Sequence, residues 1–127
     1  MEKYFYFVVK PDGAFEQVEI KDSRVPELED LQKAVGGYIE VVSGPLFPIV
    51  AIVNEEGRLK GLEDNPFGTM AIRYPEPLCG NVVIAAVDGE DIVGLNEELT
   101  HLMRRSINQV VVLFGSFFNS NGGGTIK

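Results

Sequence analysis

Residues Leu31–Val42 read LQKAVGGYIEVV, and the fold turns on how this stretch changes its period. Leu28, Leu31 and Val35 fall at helical spacing and give the segment one apolar face. Gly36 and Gly37 then supply the positive φ with which helices commonly stop. From Tyr38 the pattern alternates, with Tyr38, Glu40 and Val42 on one face and Ile39 and Val41 on the other. The stretch therefore predicts a helix end, a glycine stop and an immediate buried strand. Such a tight corner sets the angle between two core elements, but it carries no chemistry.

On the N-terminal side, Asp22 and Ser23 are placed to satisfy free amides near the helix start, and Pro26 suits its first turn. Glu27, Glu29 and Asp30 complement the positive end of the helix dipole. Before them, Tyr4–Lys10 and Ala14–Ile20 flank the turn Pro11-Asp12-Gly13, which predicts a β-hairpin. On the C-terminal side, Ser43–Pro48 is a connection and Ile49–Val53 a continuous apolar run, as in a strand buried on both faces. The turn Asn54-Glu55-Glu56-Gly57 leads into Arg58–Lys60 and predicts a second hairpin. Gly61–Thr69, GLEDNPFGT, is irregular, and Met70–Tyr74 reads as a short strand or a single helical turn.

After the rigid Pro75-Glu76-Pro77, Asn81–Val87 is a strand, and the turn Asp88-Gly89 leads to a short strand ending near Val93. Leu95, Leu99, Leu102 and Met103 keep helical spacing, with Glu97 and Glu98 early and Arg104 and Arg105 late, which predicts a second helix. Val110–Phe118, VVVLFGSFF, is strand-like in composition and too apolar to leave exposed, so it belongs to a core or an interface. The expectation is one α+β domain over residues 1–118, a mainly antiparallel sheet of hairpins with two helices packed on it, and a flexible tail over 119–127.

Composition excludes several classes. A chain of 127 residues with a net charge of −8 is long enough for a core and opposes attraction to nucleic acid or to anionic membranes. No apolar run approaches the roughly 20 residues that span a bilayer, and the N-terminus lacks the apolar region of a signal peptide. A cytoplasmic location is expected. With one cysteine, Cys79, and one histidine, His101, an internal disulfide is impossible and a Cys/His zinc site lacks ligands. No phosphate-binding glycine loop or nucleophile elbow occurs, and no EF-hand spacing is present. No metal, cofactor or catalytic residue is expected.

The corner LQ-x-x-VGGYIEVV, the turn N-E-E-G, the loop G-L-x-x-N and the segment G-E-D-I-V-G-L together resemble a family of small uncharacterised domains carried by phages, plasmids and bacteria. The resemblance runs from Tyr4 to Arg105 and implies an intracellular protein of mobile-element type with no assigned activity. Phe67–Cys79 and Val110–Phe118 depart from the pattern, and residues there inherit nothing from it.

Asn65 in the loop GLEDNPFGT is the leading binding candidate. It precedes a proline, which biases its backbone to an extended form, and its amide offers a donor and an acceptor to a base or ribose edge. The competing role is a local backbone cap. Asn54, Tyr38, Arg73 and Tyr74 are secondary candidates, since tyrosine and arginine can sandwich a planar ligand or hold a phosphate. Each is equally an ordinary sheet residue. The expected function is non-enzymatic: an accessory protein of phage or mobile-element type that sequesters a small nucleotide-like signal or blocks a host defence protein. One alternative is a small hydrolase or nucleotide-modifying enzyme using the carboxylates Glu55, Glu56, Glu63 and Asp64. The other is a structural module that forms a homo-oligomer through Val110–Phe118.

Overall fold

A computed structural model describes residues 2–123. Strand β1 (Tyr4–Val9) and strand β2 (Phe15–Ile20) form the expected antiparallel hairpin, with Gly13 at φ 94° in its turn. Helix α1 (Leu28–Val35) stops at Gly36, which adopts φ 80° while its N–H returns to the Gln32 carbonyl. Strand β3 (Ile39–Ser43) follows at once, so the corner forms as its sequence predicts. Strand β4 (Ile49–Asn54) is buried along its whole length. Helix α2 (Pro66–Ala71), strand β5 (Val82–Asp88), strand β6 (Asp91–Val93) and helix α3 (Glu97–Gly123) complete the chain.

The architecture is α+β. A six-stranded antiparallel sheet has the order β2-β1-β5-β4-β3, and β6 pairs with the far end of β5. One face carries Phe7, Val9, Ala51, Val53, Val82 and Ile84 and packs under α2 and α3. The other carries Tyr6, Val8, Ile52, Val83 and Ala85 and packs under α1 through Leu31 and Val35. The central strands β1, β4 and β5 are thus apolar on both faces, while β3 and β2 are the edges.

Several expectations are corrected. The strand after Gly37 is an edge strand, with Glu40, Val41 and Ser43 exposed, because β4 pairs with one of its sides only. Asp22 and Ser23 do not cap α1. Its N-cap is Glu27, with no side-chain cap, and Ser23 Oγ accepts instead from the Val25 N–H at 2.9 Å. Asn54–Lys60 is no second hairpin. Asn54 Oδ1 accepts from the Glu56 N–H, and Gly57, Lys60 and Gly61 each donate three or four residues back, so the segment coils through consecutive turns.

The second half of GLEDNPFGT is helical, because Asn65 caps it and Pro66 preorganises its first turn. This short helix brings the number packed on the sheet to three. Val110–Phe118 is helix rather than strand, continuing α3. Adding residues to a nucleated helix is cheap compared with starting a strand, and that outweighs the β-propensity of VVVLF. Of the expected tail, residues 119–123 continue α3, and 124–127 lie outside the described residues.

Candidate functional site

The sheet face over β3 and the end of β4 is left uncovered by α2 and α3, and there the chain builds a cleft of about 250 Å³. Its floor is Glu40, Val42 and Val53, side chains that strand alternation places on one face. One wall is the coiled turn Asn54–Leu59, and the other is Tyr74 with Glu76–Cys79. Arg58 ties the walls together, donating from Nη2 to the Pro77 carbonyl at 2.5 Å. Gly57 lies in contact distance of the far wall, where a Cβ would sit 3.4 Å from Cys79 Cβ, an ordinary van der Waals separation. Four carboxylates line the cleft, those of Glu40, Glu55, Glu56 and Glu76, against the single guanidinium of Arg58. Lys60 answers one of them from outside, 3.7 Å from Glu56.

Asn54 is 5% exposed, and two hydrogen bonds occupy its side chain. Its Nδ2 donates to the Val35 carbonyl at 3.2 Å, and its Oδ1 accepts from Glu56 at 2.8 Å. It therefore pins the end of α1 to the cleft wall, and a Cβ on Gly37 would meet its Nδ2 at 2.8 Å. Tyr74 is half-buried in the cleft. Tyr38 is 71% exposed just before β3 but outside the cleft, and Arg73, exposed and at φ 58°, does not line it either.

Asn65 stands apart and has a different task from the one expected. It is 0% exposed. Its Nδ2 donates to the carbonyls of Val9 and Gly80, each at 2.8 Å, and its Oδ1 accepts from Gly68 at 2.9 Å. Its backbone N–H bonds the Leu78 carbonyl, and its own carbonyl accepts from Thr69. This asparagine joins β1, the start of α2 and the approach to β5. Both amide hydrogens are spent and the side chain presents no surface to solvent. The sequence offered a signal for that role, because Asn-Pro three residues before a glycine amide is an N-cap pattern.

The carboxylates of the enzymatic alternative do not converge. Glu55 and Glu56 line the cleft; Glu63 and Asp64 lie outside it, and Asp64 Oδ1 accepts from Cys79 Sγ at 3.5 Å. Among the described residues no three His, Cys, Asp or Glu side chains are grouped to hold a metal ion. Cys79 is buried, and burial, then the bond to Asp64, pushes its thiol pKa up, which disfavours the nucleophilic thiolate. His101 is exposed on α3 and is not among the residues lining the cleft. Glu40, Arg58 and Glu76 are the charged cleft residues that sequence reasoning missed as site candidates. They sit on separate segments, and no spacing pattern connects them.

No helix among the described residues is long and apolar enough to cross a membrane. The family described as "Domain of unknown function (DUF3846)" matches residues 4–118, nearly the whole chain, and the chain belongs to it. No curated protein and no solved structure matched the chain.

Proposed function

We propose that this DUF3846 domain acts by binding and without chemistry, as an accessory protein of phage or mobile-element type that blocks a protein of its host. The observation that carries this reading is the charge of the cleft, four carboxylates against one arginine already committed to the Pro77 carbonyl. A nucleotide-like signal brings phosphates, and that arrangement repels them. A lysine or arginine on a protein surface meets the opposite field. The volume of about 250 Å³ suits such a side chain better than a whole nucleotide, since small-molecule pockets run from about 300 Å³ upward. Cytoplasmic action fits the single cysteine and the absence of any need for a disulfide.

Isothermal titration with a short lysine-rich peptide, and separately with ATP and a cyclic dinucleotide, tests the choice. We expect the peptide to bind, more weakly as salt rises, and the nucleotides to give no heat. Nucleotide binding at micromolar Kd, or silence from the peptide at low salt, would sink the reading. The hydrolase alternative would return if turnover of a phosphoester vanished in Glu55→Ala and Glu56→Ala.

A second reading has its own observation. On α3, Val112 and Leu113 are 76% and 63% exposed, so the apolar run can join two copies as a helix. Sedimentation of the wild type beside Leu113→Lys decides it: a concentration-dependent dimer abolished by the lysine is the expected signature, and a monomer throughout removes it.

A further inference from the structure

We infer that the outer edge of β3 is a strand-docking site, and that its occupant is an extended segment of a partner protein with basic side chains at alternate positions. The inference rests on the reading of the domain as a binder of a protein and specifies how that protein is held. β3 lies at the end of the sheet order and pairs with β4 alone. The Glu55 N–H donates to the Tyr38 carbonyl at 2.9 Å, which fixes the register of backbone bonding. Antiparallel pairing alternates, so Tyr38, Glu40 and Val42 turn their backbone groups towards β4. Ile39, Val41 and Ser43 turn theirs outward. None of the turn, loop or side-chain hydrogen bonds among the described residues uses those three pairs of groups.

The edge is lightly protected, with Glu40 as its one charge. Its sequence, IEVVS, has no proline, lysine or glycine, and its β-branched residues favour a pleated partner. The opposite edge is different. β2 bears Glu16 and Glu19 on its two faces, and Arg104 of α3 reaches over it to Gln17. β2 thus carries two charges and a contact from α3, whereas β3 carries one charge and no side-chain hydrogen bond from a helix among the described residues.

The flanks of β3 define the chemistry of what fits. In a strand added beside it, residues opposite Glu40 and Val42 project onto the cleft face, where Glu40, Glu55, Glu56 and Glu76 wait. Lysine or arginine is complementary there. Intervening residues project beside Ile39 and Val41, the latter 39% exposed, and should be apolar. Tyr38, 71% exposed at the head of the strand, offers a ring face to one more cation. A second copy of this chain fits poorly. Edge-to-edge pairing would bring two acidic clefts together in molecules that each carry a net charge of −8.

The test uses the wild-type protein and three synthetic peptides: one alternating lysine and valine, one of the same composition with the lysines in a block, and the alternating peptide N-methylated on every second amide. Affinity is read by fluorescence anisotropy, and backbone amide exchange by NMR. Two or three added backbone bonds predict that the alternating peptide binds about 10- to 100-fold tighter than either control. On saturation the amides of Ile39, Val41 and Ser43 should exchange at least about tenfold more slowly. Val41→Pro, which removes an outward N–H and no ladder bond, should erase the advantage of the alternating peptide.

Equal affinities for the three peptides, with those amides unchanged, would overturn strand docking and leave the acidic cleft as a charge-only contact. No binding by any peptide would overturn both the docking and the protein-binding reading. Protection of the edge amides without peptide, in a protein that sediments as a dimer, would assign the edge to a second copy and overturn the occupant argued here.

Discussion

Asn54 and Asn65 are buried asparagines, the first followed by a turn and the second by the helix it caps, and they serve opposite parts of the molecule. Asn65 is 0% exposed and spends its amide on Val9, Gly80 and Gly68, three backbone groups from three segments. Asn54 holds Val35 and Glu56 and stands at the rim of the acidic cleft. Around Asn65 the chain is apolar and closed; around Asn54 it opens into a turn whose backbone is bonded internally but whose charged side chains are exposed. The difference teaches that an amide in an irregular segment first satisfies buried backbone. The side chains that such a segment does not need for this are the ones left at the surface.

The sharpest break of this comparison is Asn65→Ala. It strands two buried carbonyls and one amide, and should cost about 4 kcal/mol, read as a lower urea midpoint at unchanged slope. Asn54→Ala should cost about half as much. Equal losses would mean that the two amides are equivalent after all.

Next in size is a contrast within α3. Ile107 is fully buried against the sheet, so Ile107→Ala should cost about 3 kcal/mol. Leu113, on the same helix but 63% exposed, should change stability by less than about 0.5 kcal/mol when truncated to alanine. A large loss at Leu113 would place it in an interface already formed in solution.

Gly68→Ala has a diagnostic sign. In an exposed helix this change stabilises by up to about 1 kcal/mol. Here the new Cβ would fall 2.7 Å from Val82 Cβ, so we expect a loss of about 2 kcal/mol. A gain would show that α2 can lift from β5, and that the closed corner is looser than Asn65 implies.

Much of the closed region was legible because periodicity carries it. The Gly36 stop, the β1–β2 hairpin and the doubly buried β4 follow from local pattern. The character of β3 did not, since nothing in YIEVV says that it lacks a neighbour on one side; sheet order is a property of the whole chain. The helical state of Val110–Phe118 was hidden for a related reason, because its own β-propensity competes with a helix begun at Glu97. Of the site candidates, Asn54 and Tyr74 come together, while Asn65, Tyr38 and Arg73 lie outside the cleft. Glu40 and Glu76 join it only through folding, as long-range neighbours must.

A smaller effect distinguishes the cleft's inner wall from its rim. Burial, then the bond to Asp64, holds the Cys79 thiol above its usual pKa, so the folded state prefers the protonated form. A raised folded pKa contributes stability that is fully present below the unfolded value and is lost as pH climbs through the folded one. Urea midpoints of wild type and Cys79→Ala should therefore run parallel near neutrality and converge above about pH 9, the wild type losing more. Parallel lines into the alkaline range would show the thiol to be as open as the carboxylates beside it.

The smallest effect belongs to the rim itself. Glu55 and Glu76 are exposed, line a cleft rich in like charge, and hold no hydrogen bond through their side chains among the described residues. Glu55→Gln and Glu76→Gln should therefore leave the urea midpoint within about 0.5 kcal/mol of wild type, shifted if anything towards greater stability as repulsion is relieved. The same two variants should weaken the lysine-rich peptide and flatten its salt dependence. Carboxylates that cost nothing to remove, yet whose removal weakens a cationic partner, are surface kept for binding; a marked loss of stability instead would make the cleft as structural as the corner around Asn65.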